Sequence, residues 1–387
     1  MKKVVFTLIS SAMIFSLSLP TVKARETRAV DVELAKNALS SVIIEQDTGE
    51  VLYEKDARKK LPPASMTKIM TMLIIMEEID KGNLKLDDKV MTSEYAASMG
   101  GSQIFLEPGE EMTVNEMLKG IAIASGNDAS VAMAEKIAGT EEAFVNLMNN
   151  KAKSLGLKDT HFKNPTGLPA ADHYSSAYDM AIMGRELLKH PLITKYTGTY
   201  EDYLRQNTEK QFWLVNTNKL VRFYPGADGL KTGFTAEARY CLTATAKKNN
   251  MRVVSVIMGA PTSKERNAQM SKLLDYAFNQ YQVKQLIKQG DNVDQLSISK
   301  GKNKNVNVVT KSPVSVVLKK GEALNKVTKN IKLKKDLQAP IKKGQVVGKL
   351  VLKQGDRVLS TTDLVARNNI PKAKWYDLFK RTIGGFN

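Results

Sequence analysis

The chain has 387 residues, 42% of them hydrophobic, a formal net charge of +18 and a single cysteine. That length favours two domains over one core, and a lone cysteine excludes an internal disulfide framework, so stability has to come from burial. The charge is uneven: residues 281–387 hold 23 Lys and Arg against 7 Asp and Glu, a net of +16, which leaves +2 for everything before. Without interleaved aromatics this basic region does not suit nucleic acid; its expected partners are wall polymers or anionic lipid, and the competing reading is a solvated surface.

Residues 1–24 carry Lys2 and Lys3, an apolar run from Val4 to Leu19, the breaker Pro20, and small residues at Val22 and Ala24. This pattern predicts a secretory signal cleaved after Ala24. The run is shorter than the roughly 20 residues a membrane span needs, which argues against an uncleaved anchor. The mature protein is expected to be exported, either secreted or peripheral on the outer face of the cytoplasmic membrane.

A helix is predicted over Val32 to Leu39, followed by a hairpin in which Ser41 to Ile44 and Val51 to Tyr53 flank Asp47-Thr48-Gly49. Pro62-Pro63-Ala64 halts the chain before Ser65, and Ile69 to Ile75 is apolar on nearly every face, the mark of a buried central helix. Thr113 and Glu116 form a capping box for a helix through Ile123. Gly126 ends that helix, and Asp128 is expected to cap the next, Ala129 to Ile137. Tyr174 to Asp179 reads as another helix start. Strands follow at Gly229 to Phe234, Tyr240 to Ala246 and Arg252 to Met258, then a closing helix from Glu265 to about Tyr281. A helical block inserted between an early hairpin and late strands predicts an α/β domain, its strands paired into one antiparallel sheet with a cleft where helices and sheet meet. After Val283, short alternating runs such as Val306 to Val309, Val314 to Leu318 and Val346 to Leu352 predict a small all-β domain. The expected organisation is a signal over 1–24, a catalytic domain over 25–283, a basic β domain over 284–366 and a terminal amphipathic helix over 367–387.

Ser65-Met66-Thr67-Lys68, Ser125-Gly126-Asn127 and Lys231-Thr232-Gly233 together describe an acyl-transfer site without histidine. Residues three apart share a helix face, so Lys68 can reach Ser65, which sits where free helical N–H groups favour negative charge. Lys68 can act as base only when neutral, which burial beside a second cation, Lys231, can impose. In this reading Gly233 lets a substrate strand lie against the chain, Thr232 binds a terminal carboxylate, Ser125 relays protons and Asn127 holds a substrate amide. The Ser65 and Phe234 N–H groups serve as oxyanion donors. Ser-x-x-Lys occurs about once or twice by chance in such a chain. A second copy, Ser297 to Lys300, lies in an alternating segment that puts its Ser and Lys on opposite faces. The specificity lies in three motifs in order, each in the setting it needs.

These residues resemble the serine penicillin-binding enzymes. With Asn164-Pro165-Thr166-Gly167-Leu168 and Asp228-Gly229-Leu230 beside them, the chain is similar throughout its length to low-molecular-mass D-alanyl-D-alanine carboxypeptidases, closest to the sporulation-associated type of endospore-forming Gram-positive bacteria. The resemblance implies a β-lactamase/transpeptidase-like fold followed by a β-sandwich domain and a terminal helix. It implies a peptidoglycan stem peptide ending in D-Ala-D-Ala as substrate, β-lactams as inhibitors, no cofactor, and Arg266, on the closing helix, as the carboxylate reader. Where many relatives carry His after Lys-Thr-Gly this chain has Phe234, so only its backbone is expected to act.

A class A β-lactamase would need a Glu-x-x-Leu-Asn base, which is absent. An endopeptidase, a transpeptidase or a penicillin-sensing domain without turnover remain alternatives. His161, His173 and His190 are too scattered for a zinc site of the usual spacing and are assigned to surface or loop packing. Cys241 reads as a small buried strand residue. The last segment, Pro371 to Phe386, forms an apolar face of Trp375, Tyr376, Leu378, Phe379, Ile383 and Phe386 opposite a mostly cationic one of Lys374, Asp377, Lys380 and Arg381 when plotted as a helix. That pattern predicts attachment to an anionic membrane surface; the competing reading docks the same face on the protein's own β domain.

Overall fold

The computed structural model describes residues 33–375; the predicted signal segment and residues 376–387 of the predicted terminal helix lie outside them. The early hairpin forms as expected from β1 (Ser40–Glu45) and β2 (Val51–Lys55). Its turn is tied by Thr48, whose backbone N–H and hydroxyl both donate to the Glu45 carboxylate at 2.8 and 2.7 Å. The helix expected over 32–39 does not form among its described residues, 33–39. Leu34 to Asn37 make a single turn, and Leu39 N–H donates to the Met258 carbonyl at 3.0 Å. Asn37 donates from its backbone to Gln269 (3.1 Å) and from its side chain to Glu265 (2.7 Å). These long-range partners satisfy the backbone that a short helix would otherwise satisfy itself.

A 3₁₀ turn at Ala64–Thr67 leads into α1 (Lys68–Asp80), in which every residue from Lys68 to Met76 is buried. β3 (Lys89–Met91), α2 (Glu94–Ala97) and β4 (Glu111–Thr113) follow, β3 pairing with β4. The predicted capping box of Thr113 and Glu116 opens α3 (Val114–Lys119), which widens into a π turn at Gly120–Ala124. Then come α4 (Asn127–Ala138), α5 (Glu141–Ser154), α6 (Ala177–Leu187, capped by Ser176), α7 (Ile193–Thr197), the hairpin β5 (Glu201–Leu204) and β6 (Phe212–Val215), and α8 (Leu220–Phe223).

The late strands β7 (Ala227–Thr235), β8 (Arg239–Lys248) and β9 (Met251–Ala260) join the hairpin in one antiparallel sheet of order β2-β1-β9-β8-β7. Alternation splits its side chains between two cores. Val42, Ile44, Val254 and Val256 pack with α1 and α6, whereas Ile43, Val253 and Ile257 pack with Met270, Leu273 and Leu274 of α9 (Ser263–Gln280).

The chain passes from α9 directly into β10 (Tyr281–Ile287). β11 (Asn292–Ser297), β12 (Asn305–Thr310), β13 (Val314–Lys319), β14 (Val327–Leu333), β15 (Val346–Gln354) and β16 (Arg357–Ala366) complete an all-β part. A sheet of order β11-β12-β16-β15-β14 faces a β10-β13 ribbon across a core of Val306, Val308, Val314, Val316, Leu350 and Leu364. Val317 points the other way, into the core that holds α9. β13 is therefore buried on both faces, which explains its unbroken apolar run. The residues after β16 depart from the helical reading. Ile370 is buried in the β core and paired with Ile341, and Lys372 bridges to Gly301. Residues 367–374 thus run along the β part without helix; within the predicted amphipathic segment, only Trp375 of the described residues is helical, and it is 77% exposed.

Candidate active site

Ser65 lies in the 3₁₀ turn and Lys68 opens α1, so the turn that replaces the first helical turn presents the hydroxyl to the amine at 3.1 Å. Lys68 is fully buried, yet Nζ has two further partners, Asn127 Oδ1 at 2.6 Å and the Thr166 carbonyl at 2.7 Å. Two acceptors and one hydroxyl match a neutral amine, which donates twice and accepts once. Burial, and secondarily the Lys231 charge, hold the Lys68 ammonium well below the ordinary lysine value.

The π turn delivers Ser125 in the left-handed region (φ 68°), and Gly126, rather than Asp128, caps α4. Asp128 has a different task from the expected cap. Its buried carboxylate accepts the backbone N–H groups of Ile104, Leu106 and Ala129 at 3.0, 3.1 and 2.8 Å, pinning a distant segment beside Asn127. Asn127 bridges Lys68 and the Gly100 carbonyl, to which Nδ2 donates at 2.7 Å. No hydrogen bond joins Ser125 to either lysine among the described residues, so a proton relay would have to form with substrate present.

On β7, Lys231 is buried and donates to the Thr232 carbonyl at 3.1 Å. Burial, reinforced by Arg266, lowers its ammonium to about 7. Arg266 is 6% exposed, its Nε and Nη2 sharing the Asn267 side-chain oxygen at 3.1 and 2.9 Å; burial lowers it too. Lys231 and Arg266 are thus buried basic groups without an ion-paired carboxylate among the described residues, a setting that favours an incoming anion. Thr232 hydroxyl donates to Thr217 Oγ1 at 2.7 Å, and Phe234, 56% exposed, stacks on Tyr240.

Gly233 serves a purpose the sequence reading did not assign. A Cβ there would lie 2.8 Å from the Pro63 carbonyl oxygen and 3.2 Å from Met66 N, so its bareness lets β7 press against the Ser65 turn. Gly167 (φ 82°) does the same from the opposite loop: a Cβ would sit 1.8 Å from the Ala64 carbonyl oxygen. Ala64 itself has φ 48°, a costly conformation at the residue preceding the serine. Asn164 Oδ1 collects the backbone N–H groups of Thr166 and Gly167 at 3.2 and 2.7 Å and so shapes the loop whose carbonyl holds Lys68. Asn-Pro followed by Gly is a turn signature, but it carried no hint of where the turn would pack. Thr217 left no sequence signal at all.

The histidines pack loops, one of them more deeply than a surface role suggests. His173 is buried and lowered to about 4, chiefly by burial and then by His161. Lys163 N–H donates to Nδ1 at 3.3 Å, which leaves Nε2–H to donate to Thr67 Oγ1 at 2.9 Å. His161 Nδ1 donates to the Asp172 carbonyl, and His190 Nδ1 lies 2.6 Å from Asp80.

An antiparallel sheet with an inserted helical block, and a buried Ser–Lys pair where they meet, define the β-lactamase/transpeptidase-like class of penicillin-binding proteins. A profile of the D-alanyl-D-alanine carboxypeptidase family matches residues 25–262, and one of the penicillin-binding protein 5 C-terminal domain matches residues 281–372. The chain belongs to the D-alanyl-D-alanine carboxypeptidase family. It is 59% identical to D-alanyl-D-alanine carboxypeptidase DacF of Bacillus subtilis (strain 168) over 384 residues, 99% of this chain and 98% of that one. It is 33% identical to DacC of Escherichia coli (strain K12), covering 88% and 86%. Penicillin-binding protein 5 from Haemophilus influenzae superposes with a TM-score of 0.69 at 31% identity, covering 87% of this chain and 98% of that one.

Proposed function

We propose that this chain is a serine D-alanyl-D-alanine carboxypeptidase that removes the terminal D-Ala from peptidoglycan stem pentapeptides. The observation that carries the proposal is the Lys68 Nζ to Ser65 Oγ contact of 3.1 Å beside buried cations that lack a carboxylate partner. Lys231, Arg266 and Thr232 receive the substrate's terminal carboxylate, which sets the scissile carbonyl against Ser65. Ser65 Oγ attacks that carbonyl while Lys68 takes its proton, and the Ser65 and Phe234 N–H groups stabilise the oxyanion. The proton passes from Lys68, relayed by Ser125, to the amine of the departing D-Ala. Water then attacks the acyl-enzyme, Lys68 again accepting a proton, and releases the shortened peptide with Ser65 restored. A β-lactam enters the same acylation step and remains as a slowly hydrolysed ester. Asn127, already fixed by Lys68 and Gly100, orients a substrate amide.

The catalytic role is assigned to residues 25–283 and a basic, supporting role to 284–366. No helix among the described residues is long and apolar enough to cross a membrane. The exported state rests on the signal pattern of residues 1–24, and contact with anionic lipid rests on the amphipathic pattern over 371–386. The sporulation-associated subtype is part of the same proposal, supported by the 59% identity to the B. subtilis carboxypeptidase.

The test is incubation of purified protein with a peptide ending in D-Ala-D-Ala, and separately with a β-lactam. Release of free D-Ala, together with a covalent adduct on Ser65, is expected. D-Ala leaves in the acylation step in either case, so a cross-linked product in place of the shortened peptide would make it a transpeptidase, and a persistent acyl-enzyme without turnover would make it a sensor.

A further inference from the structure

Every strand of the β11-β12-β16-β15-β14 sheet starts or stops at one end of the all-β part, where the connecting segments 298–304, 334–345 and 367–374 lie. These segments hold three, four and three Lys or Arg respectively, against a single acid, Asp336. At the opposite end of the sheet, Arg357 opens β16 and pairs with Glu50, just before β2. The cations therefore gather at the end remote from that contact with the catalytic part.

The three segments form one fixed surface. Ser299 N–H donates to the Leu337 carbonyl at 3.1 Å, Lys302 N–H to the Pro371 carbonyl at 2.8 Å and Ala373 N–H to the Lys300 carbonyl at 2.8 Å, while Ile341 and Ile370 exchange bonds of 2.9 and 2.8 Å. Beneath them Ile298, Ala339, Ile341 and Ile370 are buried in the β core. Lys304, Lys335, Lys342 and Lys343 are exposed and form no ion pair among the described residues. Like charges gathered this closely repel one another, and an external polyanion offsets that cost. The chain also leaves from this end: Trp375, 77% exposed, follows Ala373 and Lys374 into the amphipathic pattern that continues beyond the described residues.

We propose that this end of the β part is itself a docking surface for the phosphate headgroups of an anionic bilayer, acting beside the terminal segment. The inference rests on the reading of that segment as lipid-facing. A weak anchor gives stable attachment only with a second signal such as a polybasic patch. Here the second signal is folded into the sheet's end, and the segment emerges from it, so both meet one lipid plane. Neither alone holds the protein at physiological salt, where charges act over about 8 Å.

The experiment measures sedimentation of the full chain with phosphatidylglycerol vesicles at about 0.15 M salt. Lys304→Gln/Lys335→Gln/Lys342→Gln/Lys343→Gln removes four patch cations, and Lys284→Gln/Lys319→Gln/Lys320→Gln/Lys353→Gln removes as many from elsewhere on the β part; both should keep the wild-type melting temperature. At roughly fivefold per cation that reaches the lipid surface, the patch variant should bind at least about twentyfold more weakly, and the second variant less than about threefold. A patch variant that sediments like wild type, or equal losses from the two variants, would overturn the patch while leaving the terminal segment as anchor. Weakened binding of the patch variant to wall fragments rich in phosphodiester polymer, with its binding to vesicles unchanged, would overturn lipid as the occupant. A wild-type chain that stays in the supernatant would remove both the patch and the anchor.

Discussion

At the scale of single residues, the candidate site depends on keeping lysines neutral. Lys68 has three oxygen partners, and it is burial first and the Lys231 charge second that favour its neutral form. Ser65→Ala should abolish both D-Ala release and covalent penicillin labelling, whereas Ser297→Ala, in the exposed second Ser-x-x-Lys, should change neither. Lys68→Arg keeps the charge but removes the accessible neutral state, so acylation should slow by about two orders of magnitude, the usual range for losing a general base. Stopped-flow acylation with a chromogenic β-lactam reads both, and near-normal acylation by the arginine variant would show that another group takes the proton. Lys231 links the site to stability. It titrates near 7 when folded, against 10.5 ordinarily, so between those values the unfolded chain holds the extra proton and folding is favoured as pH rises. At 1.36 kcal/mol per unit, wild type should gain at most about 3 kcal/mol from this residue between about pH 7 and 9.5. In Lys231→Met that slope should vanish, and the variant should be the more stable protein near neutrality. Urea unfolding at a series of pH values checks this, and parallel curves for the two proteins would contradict it.

At the scale of elements, the serine is placed by pressure from two sides. β7 approaches the 63–66 turn through Gly233, and the 164–168 loop approaches it through Gly167, where even a methyl group would overlap the Ala64 carbonyl. Gly167→Ala combines that overlap with an unfavourable φ of 82°, so the turn has to shift. A displacement near 1 Å at reacting atoms costs about two orders of magnitude in rate. The variant should therefore fold with normal circular dichroism, lose about 1 to 3 kcal/mol of stability, and acylate about a hundredfold more slowly. Unaltered acylation would mean that the loop does not position Ser65. Asp128 shows the same principle without a glycine: three backbone donors from two segments converge on one carboxylate, so the Ile104 to Leu106 segment and the Asn127 turn hold each other.

For the whole molecule, the β10-β13 ribbon serves two cores. Val314 and Val316 face the β sheet, while Val317 joins α9 and the main sheet, so the basic part is attached through buried apolar surface as well as through rim contacts such as Arg357 to Glu50 at 3.0 Å. Arg357 is exposed and Glu50 half-buried, so that rim pair adds little. Removal of the terminal amphipathic segment must respect the burial of Ile370, since a chain ended after Ala366 would lose a core residue. A chain ended after Lys374 should keep carboxypeptidase activity and its melting temperature but no longer sediment with anionic vesicles; equal sedimentation of both forms would exclude the segment as a membrane anchor.

Much of this protein was legible in its order of residues. The hairpin around Thr48, the buried α1, the Thr113–Glu116 capping box and the spacing of Ser65 and Lys68 follow from patterns within a few residues, because capping and amphipathicity are local physics. The three motifs likewise named the residues that meet at the cleft. Only the tertiary structure decided what satisfies them. Lys68 finds Asn127 and Thr166 at separations of 59 and 98 residues, Asn37 finds Gln269 across 232, and the helix expected at the start of the chain yields to those contacts. Gly233 and Gly167 proved to be packing requirements, Asp128 a clasp instead of a cap, and residues 367–374 part of the β core instead of a helix. Each of these depends on an atom brought near by the fold, and local periodicity carries no record of which distant backbone will arrive there.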